Sequence, residues 1–90
     1  MKKERSKWEL VVEILKAIKV EEKSNKTRIM QRANLDWRNF HRHFDFLIEE
    51  KFIVKCNPEN GCYKLTEKGG NLLQKLKEVD EVLGKGHRNL

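Results

Sequence analysis

The apolar positions of the chain divide it into elements by their spacing. Between residues 6 and about 22 they recur at the three-and-four interval of a helix face, with Trp8, Val11, Leu15 and Ile18 in line and Leu10, Ile14 and Ala17 widening the stripe. Trp8 is assigned to the core with the rest. Ser6 followed by Glu9 has the pattern of a capping box, in which the serine oxygen accepts an orphan amide hydrogen and the glutamate reaches back to the cap. The polar stretch Glu21-Glu22-Lys23-Ser24-Asn25 closes this helix. A second, short helical pattern covers about 26–33, with Ile29, Met30 and Ala33 inward and Ser24, Asn25 or Thr27 as its cap. Asn34-Leu35 leaves room only for a tight corner before Asp36, a good N-cap for a third helix that reaches about residue 51. Two helices joined this closely predict a helix-turn-helix.

On the third helix Phe40, Phe44 and Leu47 share one side, flanked by His43 and Trp37, and that side is the predicted core face. Trp37 can close the core or stack on a sugar, and its edge position favours the core. Phe46 falls off the core face and needs cover from another element or a second subunit. After Lys51 the spacing becomes extended: 52–56, then the turn letters Asn57-Pro58-Glu59-Asn60-Gly61, then 62–65, which predicts a β-hairpin with Pro58 in a type I turn. Thr66 can cap a last helix to about residue 83, with Gly84 and Gly86 ending it and a frayed basic tail behind. Along this helix Leu72, Leu76, Val79 and Leu83 keep the four-three-four spacing of a coiled-coil seam, whereas Leu73 points into its own domain. The fold class is mainly α with a small β-hairpin. The expected organisation is one domain over 1–90, with a binding core at 6–65, a dimerisation helix at 66–84 and a flexible tail at 85–90.

Charge adds a location to this outline. The chain carries 20 Lys and Arg against 14 Asp and Glu, a net +6. Residues 1–22 hold six basic and five acidic groups, 23–42 six and one, and 43–90 eight of each, so the excess is +1, +5 and 0. Nearly all of it falls on the helix-turn-helix, which makes that segment the first candidate for contact with a polyanion; a charge run taken alone reads more often as a solvated helical face. Arg38 and Arg42 stand four apart on the side of the third helix opposite its core, beside His41 and Asp45. Arginine forks bidentately onto guanine or phosphate, so these two, with Asn39 and His41, are candidate base contacts. Lys26, Arg28, Arg32, Lys55 and Lys64 are candidate phosphate contacts, with Trp37 held among the DNA-facing residues.

Other chemistry is thin. No apolar run exceeds four residues, against about 18 needed to cross a bilayer, and the basic start of the chain lacks the apolar segment of a signal peptide, so a cytoplasmic protein is expected. There is no nucleophile motif, no glycine-rich phosphate loop and no cluster of acids; neither an enzyme nor a cofactor is expected, and no small-molecule substrate is evident. Cys56 and Cys62 with the three histidines do not have the spacing of a zinc site. The two cysteines flank the hairpin turn and can face each other across it: a disulfide in an oxidising or hyperthermophilic cytosol, free thiols in an ordinary one. His43, beside the core, is read as a packed residue with one satisfied nitrogen.

The run Lys26-Thr27-Arg28-Ile29-Met30 followed by Ala33-Asn34-Leu35, and the later Leu65-Thr66-Glu67-Lys68-Gly69, resemble the archaeal winged helix-turn-helix family over residues 7–83. Within it the chain looks closest to small basic chromatin-associated and regulator-like proteins that dimerise through their C-terminal helix. The resemblance implies duplex DNA as partner, the third helix in the major groove, the hairpin as a wing, and no catalytic residues. Two features depart from the closest-looking members: a short C-terminal helix and an acidic wing tip at Glu59. The expectation is a DNA-binding transcription regulator or nucleoid-associated homodimer. A winged-helix protein-interaction module and an RNA-binding protein are the alternatives.

Overall fold

A computed structural model describes residues 6–21, 25–57 and 61–88, with side chains as far as residue 79, Asn57 excepted. The element order is α1 Lys7–Val20, α2 Lys26–Ala33, α3 Trp37–Glu49, β1 Ile53–Asn57, β2 Cys62–Leu65 and α4 Glu67–Arg88. Each helix start is built by a short polar side chain. The capping box at Ser6 is formed, Glu9 N–H donating to Ser6 Oγ at 3.2 Å and Ser6 N–H to Glu9 Oε1 at 2.9 Å. Asn25 is the α2 cap among the three candidates, accepting from Arg28 N–H at 2.9 Å. Asp36 caps α3 by accepting from Asn39 N–H at 2.8 Å.

The corner between α2 and α3 turns on Asn34, left-handed at φ 59°, with the Asn34 and Leu35 amides donating to Gln31 O and Met30 O at 3.1 and 3.3 Å. Asparagine tolerates that region better than other side chains. The same paired closure ends α3: Lys51 N–H donates to Ile48 O at 3.1 Å and Phe52 N–H to Leu47 O at 2.9 Å, with Lys51 at φ 62°.

β1 and β2 pair antiparallel, Ile53 with Leu65, Val54 with Lys64, Lys55 with Tyr63, and Asn57 with Cys62, which leaves Cys56 as the extra residue of a bulge. Cys56 and Cys62 form a disulfide with Cα atoms 5.6 Å apart. The turn at 58–60, including Pro58 and the acidic tip at Glu59, lies outside the described residues.

The core gathers Ile14, Leu15 and Ile18 from α1, Ile29 and Ala33 from α2, Phe40, Phe44 and Leu47 from α3, Ile53 and Tyr63 from the hairpin, and Leu73 from α4. Phe44 stacks on Phe40 and meets the edge of Tyr63, each pair at 4.9 Å between centroids. His43 is 7% exposed, its Nδ1 2.7 Å from Asn39 O, as a packed histidine should be. Phe46 finds its cover within the chain, under Lys7 Nζ at 4.6 Å and beside the Phe52 ring at 6.3 Å.

Three expectations fail. Trp8 is 47% exposed although it stands two turns before the buried Leu15 on the same face, because it lies in the first turn of α1, beyond the part of the helix that the core covers. Trp37 is 58% exposed and does not close the core; its ring lies back along α3 toward His41, at 4.6 Å. α4 runs through Gly84 and Gly86 to Arg88, since a glycine costs a helix about 1 kcal/mol relative to alanine and does not by itself terminate it. The expected tail is therefore helical as far as Arg88, with 89–90 outside the described residues.

Candidate nucleic-acid interface

The outward side of α3 carries Arg38 and Arg42, both exposed and in no ion pair among the described residues. The cap and the αL corner fix this helix at its first turn, while Phe40, Phe44 and Leu47 hold its other side in the core. The two guanidinium groups therefore project from a rigid element. Beside them runs a second row, Trp37, His41 and Asp45, each four residues from the next. The His41 ring contacts Trp37, and its Nδ1, closed off from solvent, is 3.9 Å from Asp45 Oδ1, beyond hydrogen-bond range. Asn39 is less free than its position in the sequence implies: its side-chain amide donates to Asp36 Oδ2 at 3.2 Å and reinforces the cap.

The candidate phosphate contacts separate into two kinds. Arg28 and Arg32, on successive turns of α2, both reach back to Glu21 at the end of α1, at 3.3 and 3.2 Å. A glutamate from the segment that counted as nearly neutral thus occupies two cations of the basic segment. Sequence reasoning missed Glu21, and the one available signal was an acidic residue beside the corner that brings α2 against α1. Lys26, by contrast, has its Nζ 5.3 Å from the Phe44 ring and no carboxylate partner among the described residues. Lys55 and Lys64 are exposed on the hairpin, but their cross-strand partners are Tyr63 and Val54 in adjacent pairs, so they stand on opposite faces of it.

Residues 4–84 match the family model of winged helix-turn-helix proteins. The chain belongs to the winged helix-turn-helix family. In the terms of that family α2 and α3 are the helix-turn-helix and the hairpin is the wing. Two relatives come from the archaeon Methanocaldococcus jannaschii, both described as uncharacterized proteins. One is 49% identical over 79 residues, 88% of this chain and 77% of its own; the other is 45% identical over 79 residues, 88% of this chain but only 36% of its own length. Among solved structures, the crystal structure of Sso10a-2, a DNA-binding protein from Sulfolobus solfataricus, is similar in fold, with a TM-score of 0.80 and 22% identity over 94% of this chain and 88% of that one. The mainly helical winged fold is thus common to this chain and an archaeal protein.

The winged-helix frame also explains the Leu65-Thr66-Glu67-Lys68-Gly69 string. Thr66 Oγ1 donates to Lys51 O at 2.7 Å and accepts from Gly69 N–H at 3.0 Å, and Lys68 Nζ donates to Glu50 O at 2.8 Å. The string clasps the start of α4 to the end of α3. Among the described residues no group of His, Cys, Asp and Glu could hold a metal ion, and no helix is long and apolar enough to cross a membrane.

Proposed function

We propose that this protein binds double-stranded DNA, with α3 in the major groove and the hairpin beside it, as a transcription regulator or nucleoid-associated protein of the cytoplasm. The observation that carries the reading is the pair Arg38 and Arg42, exposed, without an ion-pair partner among the described residues, and one turn apart on a helix whose other side is locked into the core. Such a pair suits guanine edges and phosphates in a groove wide enough for a helix. Lys26 and Lys55 supply phosphate contacts on the α3 side of the hairpin, while Lys64 stands on its other face; Arg28 and Arg32 join them only by leaving Glu21. Trp37 and His41 form the flank of the same surface. The description of Sso10a-2 as a DNA-binding protein supports the class. The mechanism is occupancy: two copies joined through Leu72, Leu76, Val79 and Leu83 of α4 would set two recognition helices on one duplex.

Fluorescence anisotropy against a random-sequence duplex and a matching single strand, across a range of salt, tests the reading. Duplex binding with a steep salt dependence is expected, and Arg38→Ala with Arg42→Ala should weaken it by at least about tenfold, each good bidentate contact being worth about 1–3 kcal/mol. Binding that ignores the double substitution would remove α3 from the interface. A preference for the single strand would move the protein to the RNA-binding alternative.

A further inference from the structure

An open groove of about 560 Å³ runs between the second half of α3 and the inner side of the hairpin. Its apolar surface comes from Ile48, Val54 and the edge of Tyr63, over the buried Phe44 and Ile53, and its rim is charged, from Lys26, Lys51, Lys55 and Asp45. Three cations thus face one carboxylate, and none of the three lysines has an ion-pair partner among the described residues. This differs from α2, where Arg28 and Arg32 share the single carboxylate of Glu21. Lys51 stands at the left-handed position that closes α3, φ 62°, a place where glycine is the cheaper residue. A lysine there places at the end of α3 a cation that the helix dipole favours and that also stands on the rim.

We propose that this groove binds a small amphipathic anion, an aryl or branched aliphatic carboxylate, with its hydrocarbon body on Ile48 and Tyr63 and its carboxylate among Lys26, Lys51 and Lys55. The volume falls in the roughly 300–1,000 Å³ range of small-molecule sites, which are typically apolar with a few convergent polar groups. Charge complementarity sets the sign of the ligand, and the apolar lining sets its body. A bare phosphate or a sugar–phosphate strand would satisfy the lysines and gain little from the aromatic and aliphatic floor. Lys26 and Lys55 are shared with the proposed phosphate contacts, so an occupied groove weakens duplex binding. That consequence rests on the DNA reading; the site does not.

Titration of the ¹⁵N-labelled full chain with phenylacetate tests the site without DNA. Saturable shifts at the amides of Ile48, Lys51, Lys55 and Tyr63 are expected, with phenylacetamide and inorganic phosphate each at least about tenfold weaker, because a charged hydrogen bond or the apolar contact is lost. Lys51→Gln should lower phenylacetate affinity about tenfold while leaving the rest of the spectrum in place. Equal binding of phenylacetamide would reduce the groove to a nonspecific apolar surface and overturn the proposal. Phosphate competing as well as phenylacetate would make it a plain anion site, and the absence of saturation would make it no site; either result also overturns it. Duplex binding measured beside these titrations reports on the DNA reading separately.

Discussion

At the scale of single residues, two adjacent glycines with opposite roles show what a sequence leaves undecided. Gly69 and Gly70 both lie in the first turn of α4. A Cβ on Gly69 would fall on the carbonyl oxygen of Phe52, whereas a Cβ on Gly70 would meet nothing within 4 Å. Phe52 O already accepts from Thr66 N–H at 3.0 Å, so it cannot retreat without undoing the clasp between α3 and α4. Gly69→Ala should therefore destabilise by about 1–3 kcal/mol or more, as overpacking does. Gly70→Ala should stabilise by about 0.5–1 kcal/mol through helix propensity alone. Urea unfolding of the two variants checks both signs. His43 was legible from its flanking position because packing and a local carbonyl decide its place, whereas Trp8 and Trp37 were not. Both tryptophans stand in a first helical turn, where the spacing that marks a core face continues although the partner element has ended.

Between elements, the contact that bears most on the proposed DNA binding is Glu21 across Arg28 and Arg32. Both ion pairs join exposed side chains, the arginines 68% and 51% exposed, so they contribute little to stability. On the DNA reading their weight is in the charge they withhold from the duplex. Glu21→Gln should change unfolding free energy by no more than about 0.5 kcal/mol. It should tighten duplex binding and steepen its salt dependence, by up to about 0.9 in slope for each arginine that gains a phosphate. An unchanged slope would show that α2 faces away from the duplex. The four helices, the corner and the hairpin were all legible, because caps, turn letters and periodicity are local signals. Glu21 was not, since its partners lie seven and eleven residues away around a corner. The end of α4 departs from its sequence pattern for the opposite reason: Gly84 and Gly86 are local stop signals that no left-handed closure enforces.

At the scale of the whole molecule, α4 runs on past the core. The helix has 22 residues, about 33 Å at 1.5 Å per residue, and the molecule measures 49 Å along its longest axis against 21 Å along its shortest. Leu73 is buried and Leu72 and Leu76 pack partly on the core, so the first half of α4 belongs to the domain, not to a separate dimerisation arm. Val79, one turn further on, is 53% exposed, and the side chain of Leu83 lies outside the described residues. A seam between two copies would thus draw on one side of Leu72 and Leu76 and on the whole of Val79, which makes Val79 the better position to test. Val79→Glu places a charge in water in a single protomer and inside an apolar seam in a dimer, where an unpaired charge is not tolerated. Sedimentation equilibrium should give twice the chain mass for the native protein and the chain mass for Val79→Glu, with unchanged helical circular dichroism in both. The variant should also lose affinity for a duplex long enough to hold two copies while keeping that for a short one, because linking two sites multiplies affinity only while both engage. A variant that still sediments as a dimer would place the interface elsewhere, and a native chain that sediments as a monomer would leave each copy to bind DNA alone.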